Sequence, residues 1–443
     1  MTASVLQVAI ALIAGVGIMI LLAVKLKLHA FFALLIACFV TGLIMQMALP
    51  EIIGIMKDGF GSIMKSLGFI IVLGTTLGVL LEHTGSTQVM ANFILKKVGE
   101  RNASIALSIT GFIIGLPVFC DSGYIVLNGL NRSISKRSGT SPVITSVSLA
   151  TGLYAVHCIV PPHPGAAAAA ATLDADVGKL VLFGIIVALP AMIVANIWAK
   201  YEGKKITFNE TAEHEIINET RNYPSVIVSF LPVLVPVILI ALRSFTLAET
   251  NGSLLSSVFN IAGDPVAALS IGILLAFFSV KKITKETLSI LLKDAVDKAG
   301  SILIIIGAGG AFGAILAAAK IGEHFAQITE IGSIGILLPF IITVILKTAQ
   351  GSSTVAIITA ASIVQPLLPA IGLSSDNGKI LCVLAMGAGS MMISHANDAY
   401  FWVISNFSGM PMKTTLKVYT TATILMSVTA IIVVYILSLL IHY

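Results

Sequence analysis

The stretch VLQVAIALIAGVGIMILLAV (residues 5–24) holds no charged side chain and one polar one, Gln7. About 18 or more apolar residues in a row suffice to cross the hydrocarbon core of a bilayer as a helix. The far end of the sequence repeats the pattern, with an uncharged, mostly apolar block from Thr423 to Ile441. Across all 443 residues, 57% are hydrophobic and 11% charged. A soluble domain carries about 25% charged residues, so this chain cannot clothe a soluble surface of its size. The first block reads as a retained helix. Secretory leaders begin with positive charge, and the first basic residue here, Lys25, follows the block.

Further spans lie near 28–49, 66–82, 142–160, 179–199, 224–242, 263–280, 300–319, 380–396 and 418–441. The stretch from Lys200 to Asn222, with Glu210, Glu213, Glu215 and Glu219, reads as a solvated linker between 1–199 and 223–443. Two apolar regions, 103–131 and 335–370, are broken by Gly, Pro and polar residues. Irregular backbone does not face lipid, so these regions are expected to be re-entrant hairpins.

The two parts resemble each other. IIVLGTTLGVLL (70–81) aligns with IIGAGGAFGAIL (305–316), setting Gly74 and Gly78 against Gly309 and Gly313. Each is followed by a hairpin tip, LPVFCDSGY (116–124) and QGSSTVA (350–356). Then come ATGLYAVHCIVPPHPG (150–165) and MGAGSMMISHANDAYFW (386–402), Gly-containing spans that end in His and polar residues. Weak internal similarity in the same order is the sign of a repeat-built transporter. The expected fold is therefore an all-α polytopic membrane protein. It has two inverted repeats, each of about five transmembrane helices plus one hairpin.

Basic residues test the topology. With the N-terminus outside, Lys57, Lys65, Lys179, Arg243, Lys320 and Lys379 fall on outer loops, Lys347 in a hairpin, and the other nineteen on inner loops. The positive-inside rule favours that orientation, with both termini outside. The net charge of +5 marks such loops rather than a nucleic-acid surface. Cys38, Cys120, Cys158 and Cys382 stand singly without metal or disulfide spacing. GAGGAFG lacks the lysine of a phosphate loop, and no GxSxG or HExxH occurs. No enzyme, metal or cofactor is expected. The alanines from Ala166 to Ala171 indicate close helix packing, and Asp264 is placed to cap a helix.

The transport chemistry is expected at the broken segments. The first tip offers Asp121, Ser122 and Gly123. An ionisable group at membrane depth is costly and usually functional, which makes Asp121 the candidate proton-coupling residue. A solvated turn is the alternative. The second tip, Gly351, Ser352, Ser353 and Thr354, offers hydroxyls and amides suited to a carboxylate, a polyol or a dehydrated ion. Helix capping is its bland reading. Pro161, Pro162 and Pro164 end a helix beside His157 and His163, which face either a ligand or, for His163, water. Ser394, His395, Asn397 and Asp398 sit at the matching place in the second half, against the alternative of a loop start. Tyr400 and Trp402 suit an interfacial belt. No Lys or Arg is assigned to a substrate carboxylate, and Lys347 is given the surface as its alternative destination.

PPHPG (161–165), GDPVAAL (263–269), IIIGAGGAFGAIL (304–316), GSSTVA (351–356) and SHANDAYFW (394–402), in this order, resemble the gluconate permease family of bacterial sugar-acid:proton symporters. The resemblance runs from FFALLIACFVTGL (31–43) to the last helix. It implies an inner-membrane, elevator-like symporter and a homodimer. At the first tip the chain departs from the aromatic–Glu–Val–Gly–Phe string of gluconate-type members, with Cys120, Asp121, Ser122, Gly123 and Tyr124 instead. The expected function is proton-coupled uptake of a small hydroxy-carboxylate. Gluconate-like acids, glycerate and a hydroxybutyrate stay open as substrates, and sodium stays open as the coupling ion.

Overall fold

The apolar blocks become helices because a bilayer leaves backbone N–H and C=O groups no partners but each other. The computed structural model describes residues 5–99, 102–206, 223–246, 254–279, 284–319, 335–395 and 398–441. In the first part run α1 (Val5–Val24), α2 (Ala30–Ile44), α3 (Leu49–Thr84), α4 (Ser86–Val98), α5 (Ala103–Ile114), α6 (Cys120–Ser138), α7 (Pro142–Ile159), α8 (Pro164–Leu173) and α9 (Val177–Gly203). The second part holds α10 (Val226–Thr246), α11 (Leu254–Ala262), α12 (Pro265–Phe277), α13 (Lys285–Ala318), α14 (Leu337–Gln350), α15 (Ser353–Val364), α16 (Asp376–Ser390), α17 (Ala399–Ser408) and α18 (Met412–Leu440). Six segments among the described residues are long and apolar enough to cross a membrane. Most of the 200–222 linker lies outside the described residues.

Two spans are far longer than their apolar runs. The expected helices near 66–82 and 300–319 are the C-terminal halves of α3, 36 residues, and α13, 34 residues. The stretches before them keep helical phasing and contain no proline past the first turn, so the helix runs through. Lys57 and Lys65 consequently sit within α3, not on a loop. The two long helices pack against each other. A β-carbon at Gly59 would lie 2.5 Å from the Gly310 carbonyl oxygen, and one at Gly310 would lie 2.7 Å from that of Gly59. Glycine at both positions permits this approach.

The aligned glycine pairs have a structural meaning. A β-carbon at Gly78 would meet the Pro117 carbonyl oxygen at 3.0 Å, in the break between α5 and α6. Gly309 and Gly313 face Ile358 and Ser362 of α15, and the Ser362 hydroxyl donates to the Gly309 carbonyl at 2.7 Å. Each long helix thus lies against the broken pair of its own half. Both broken regions are helix–break–helix, and the arms of each pack on one another. The first break carries Pro117, which has no N–H to donate. The second turns at Gly351, whose φ of 83° is left-handed.

The core is built on α7, with 16 of its 18 residues buried, and on the alanine run of α8. A β-carbon at Gly152 would lie 2.3 Å from the Ser108 carbonyl oxygen, so α5 and α7 touch backbone to backbone. Asp264 caps α12, accepting from the Val266 N–H at 3.0 Å.

Candidate functional site

Every break in the chain ends one helix and starts another, and the first N–H groups of a helix have no partner within it. The first turns of four helices line one cavity of about 450 Å³. Cys120, Asp121 and Ser122 come from α6, Pro164 from α8, Ser353, Thr354 and Val355 from α15, and Ala399 and Tyr400 from α17. Tyr154 and His157 of α7 form another wall, with Phe119, Ser352 and Asp398 just before their helices. Lys298, Ser301, Ile302 and Ile305, one stripe of α13, close the remaining side.

Asp398 holds the second tip to its neighbours. Its Oδ1 accepts from the Tyr400 N–H at 3.0 Å. Its Oδ2 accepts from the Ser394 hydroxyl at 2.5 Å and the Lys347 ammonium at 2.6 Å. Lys347 is fully buried and also donates to the Gly351 carbonyl. Asp398 and Lys347 therefore cancel one another's charge while tying the α14–α15 tip to the start of α17.

Asp121 has no such partner. Its Oδ1 is buried without a hydrogen bond among the described residues, as is Nδ1 of His157. The remaining wall is hydroxyl and aromatic. The Tyr154 hydroxyl lies 2.6 Å from that of Ser353, and both reach the Ser390 carbonyl, at 3.2 and 3.1 Å. The rings of Tyr154 and Tyr400 stack at 5.6 Å, and the Tyr400 hydroxyl donates to the Ala150 carbonyl at 3.0 Å.

Of the residues singled out by sequence, the cavity wall takes Asp121, Ser122, His157, Ser352, Ser353, Thr354 and Asp398. Gly123 instead packs toward Leu153. The Gly351 carbonyl is held by Lys347. Ser394 supports Asp398 from behind, and the His395 carbonyl accepts from the Asp398 N–H at 2.8 Å. His163 is not at a wet interface: it is buried, and its Nε2 donates to the Gly115 carbonyl, fastening the proline turn to the first break. Asn397 lies outside the described residues. Tyr400 belongs to the cavity wall rather than an interfacial belt, while Trp402 is 39% exposed. Lys347 is not at the surface. Sequence reasoning missed Tyr154, Lys298 and the role of Lys347. For Lys347 the signal was present, because the rule that selects Asp121, an ionisable group inside an apolar run, applies equally.

Comparison with known proteins follows the same architecture. Residues 6–440 match the family described as GntP family permease. A gluconate permease of Pseudomonas aeruginosa is 34% identical over 443 residues, covering 97% of each chain. The D-serine transporter DsdX of Escherichia coli O6:H1 is 32% identical over 442 residues, covering 97% of this chain and 98% of its own. Among solved structures, the YdaH transporter of Alcanivorax borkumensis shares the fold with a TM-score of 0.64 at 13% identity, over 88% of this chain and 89% of its own.

Proposed function

The chain belongs to the GntP permease family, a family of transporters and not of enzymes, and from that premise we propose that it is a proton-coupled importer of a small hydroxy-carboxylate. The observation that carries this reading is the meeting of four helix starts around Asp121, whose buried Oδ1 has no hydrogen bond among the described residues. Helix N-termini attract anions through free N–H groups and the helix dipole. Each is worth about 0.3–1 kcal/mol, and up to about 2 kcal/mol when partly buried. Ser122, Ser353 and Thr354 add hydroxyls that match those of a hydroxy acid.

Charge supplies the coupling. Lys347 balances Asp398, which leaves Asp121 as the acid of the tips without an ion pair among the described residues. An incoming carboxylate is repelled by an ionised Asp121 and is accepted once Asp121 carries a proton, whose O–H can then donate to a substrate oxygen. Proton and anion favour each other's binding, so they travel together. In the same reading, residues 1–199 and 223–443 are inverted repeats joined by 200–222, with both termini in the periplasm. The hairpins, with α7–α8 and α16–α17, move as one body against α3 and α13 of an inner-membrane homodimer.

The free Asp121 carboxylate beside the Tyr154 and Tyr400 rings also favours a second reading, a hydroxylated amino acid whose ammonium replaces the proton. The relative from Escherichia coli O6:H1 is named for D-serine. Purified protein in proteoliposomes, given labelled D-gluconate, D-glycerate, 3-hydroxybutyrate or D-serine under an inward proton or sodium gradient, separates the possibilities. The expected result is accumulation of a hydroxy acid that follows the proton gradient. Accumulation that follows sodium alone removes proton coupling. D-serine as the sole substrate replaces the acid with the amino acid, and uptake of none of the four sinks the reading.

A further inference from the structure

The tips and broken spans present an anion with helix dipoles but no free cation, and the cavity wall has one lysine or arginine among the described residues, Lys298 of α13. We propose that Lys298 is the specificity-determining residue that takes the substrate carboxylate, and that Asp294 holds it in the empty site. The proposal rests on the transporter reading above and adds to it which side of the cavity the carboxylate faces.

Lys298 pairs with Asp294 one turn earlier at 2.8 Å, and the two side chains are 37% and 47% exposed. A half-exposed pair spaced i,i+4 shifts an equilibrium only about twofold. A substrate carboxylate can therefore replace Asp294 at little cost. The buried cation of the second tip, Lys347, is held by Asp398 and the Gly351 carbonyl with no exposure. Separating such a pair is unfavourable by several hundredfold or more, so Lys347 stays with Asp398. The contrast in burial selects Lys298 as the lysine free to exchange partners.

The surroundings fit a carboxylate at this position. Ser301 lies on the next turn of the same face, followed by the apolar Ile302 and Ile305. Glu82 of α3 lies in the field of both Lys298 and Asp294 and close to the Ser122 hydroxyl. The acidic groups that face Lys298 are thus Asp294, Glu82 and, across the cavity, Asp121. A bound acid would have its carboxylate at Lys298 and its hydroxyls toward Ser122, Ser353 and Thr354. In that pose a neutral polyol lacking the carboxylate loses the Lys298 contact along with the attraction of the helix dipoles for its charge.

The test uses two substitutions of opposite expected sign in the full-length protein, read in proteoliposome uptake of whichever of the four acids above the wild type accumulates. Lys298→Met should raise the apparent half-saturation concentration about 10- to 100-fold, the worth of a hydrogen bond to a charged group. Lys298→Arg should recover most of the loss. Asp294→Asn should lower the half-saturation concentration about twofold, because the competitor is gone. The corresponding neutral polyol should inhibit the wild type and Lys298→Met equally. If Lys298→Met transports with wild-type affinity, or if Asp294→Asn weakens binding as Lys298→Met does, the pair is only structural and the proposal falls. Thermal unfolding of each variant in detergent identifies a folding defect, and Lys298→Arg then carries the decision. Absence of uptake by the wild type would instead sink the transport reading itself.

Discussion

Replacing Lys347 with methionine removes the ammonium while keeping most of the apolar stem, so its cost is electrostatic. Lys347 is fully buried, and its nitrogen serves two acceptors, Asp398 at 2.6 Å and the Gly351 carbonyl. Removing one partner of a buried pair costs about 3–5 kcal/mol. Thermal unfolding of the purified variant in detergent should therefore show a midpoint several degrees below wild type. Lys347→Met with Asp398→Asn removes both charges, and asparagine can still cap α17, so the double variant should regain most of the loss. Wild-type melting of Lys347→Met, or a deficit that persists in the double variant, would refute the reasoning.

Three further outcomes follow from the same geometry. Asp121→Asn should abolish accumulation driven by a pH gradient while exchange of internal for external substrate survives; undiminished accumulation removes Asp121 from coupling. Gly152→Ala should destabilise the protein by about 1–3 kcal/mol through overpacking, since its β-carbon would sit 2.3 Å from the Ser108 carbonyl oxygen; wild-type yield and melting of that variant would count against the close packing of α5 on α7. Cysteine labelling should place residues 200–222 inside and both termini outside, the orientation that the distribution of basic residues favours; a cytoplasmic C-terminus would exclude the inverted-repeat reading.

The parts of this structure legible in the sequence are those governed by local rules. Apolar length marks the spans, Pro117, Gly351 and Pro161–Pro162 mark breaks, and the aligned pairs Gly74/Gly78 and Gly309/Gly313 mark where the long helices meet their broken neighbours. What stayed hidden depends on partners distant in sequence. Tyr154 looks like any residue of an apolar span until Ser353, 199 positions away, meets its hydroxyl. His163 resembles a ligand candidate until Gly115 satisfies it. Lys298 lies where hydropathy places a loop, because the apolar run of α13 begins only after it. The length of α3 and α13 was hidden for a related reason: hydropathy stops where lipid contact stops, but a helix continues until something breaks it.

The two lysines show why the second hairpin holds a cation and yet should not bind its solute through it. At 4 Å, and at the effective dielectric found for protein sites, an unopposed lysine attracts a carboxylate by about 4 kcal/mol. On its own, that attraction slows release about a thousandfold. A carrier must let its solute go on the far side of the membrane, so a bare Lys347 beside the second tip would be a trap. Asp398 removes the trap by neutralising it, and Ser394 and the Tyr400 N–H fix Asp398 in place. What remains for the anion is a set of helix starts, each weak alone, and one half-exposed lysine on α13. If α13 belongs to the part that stays still while the tips move, the contact with Lys298 breaks as the tips travel. Affinity then falls at the point in the cycle where release is required.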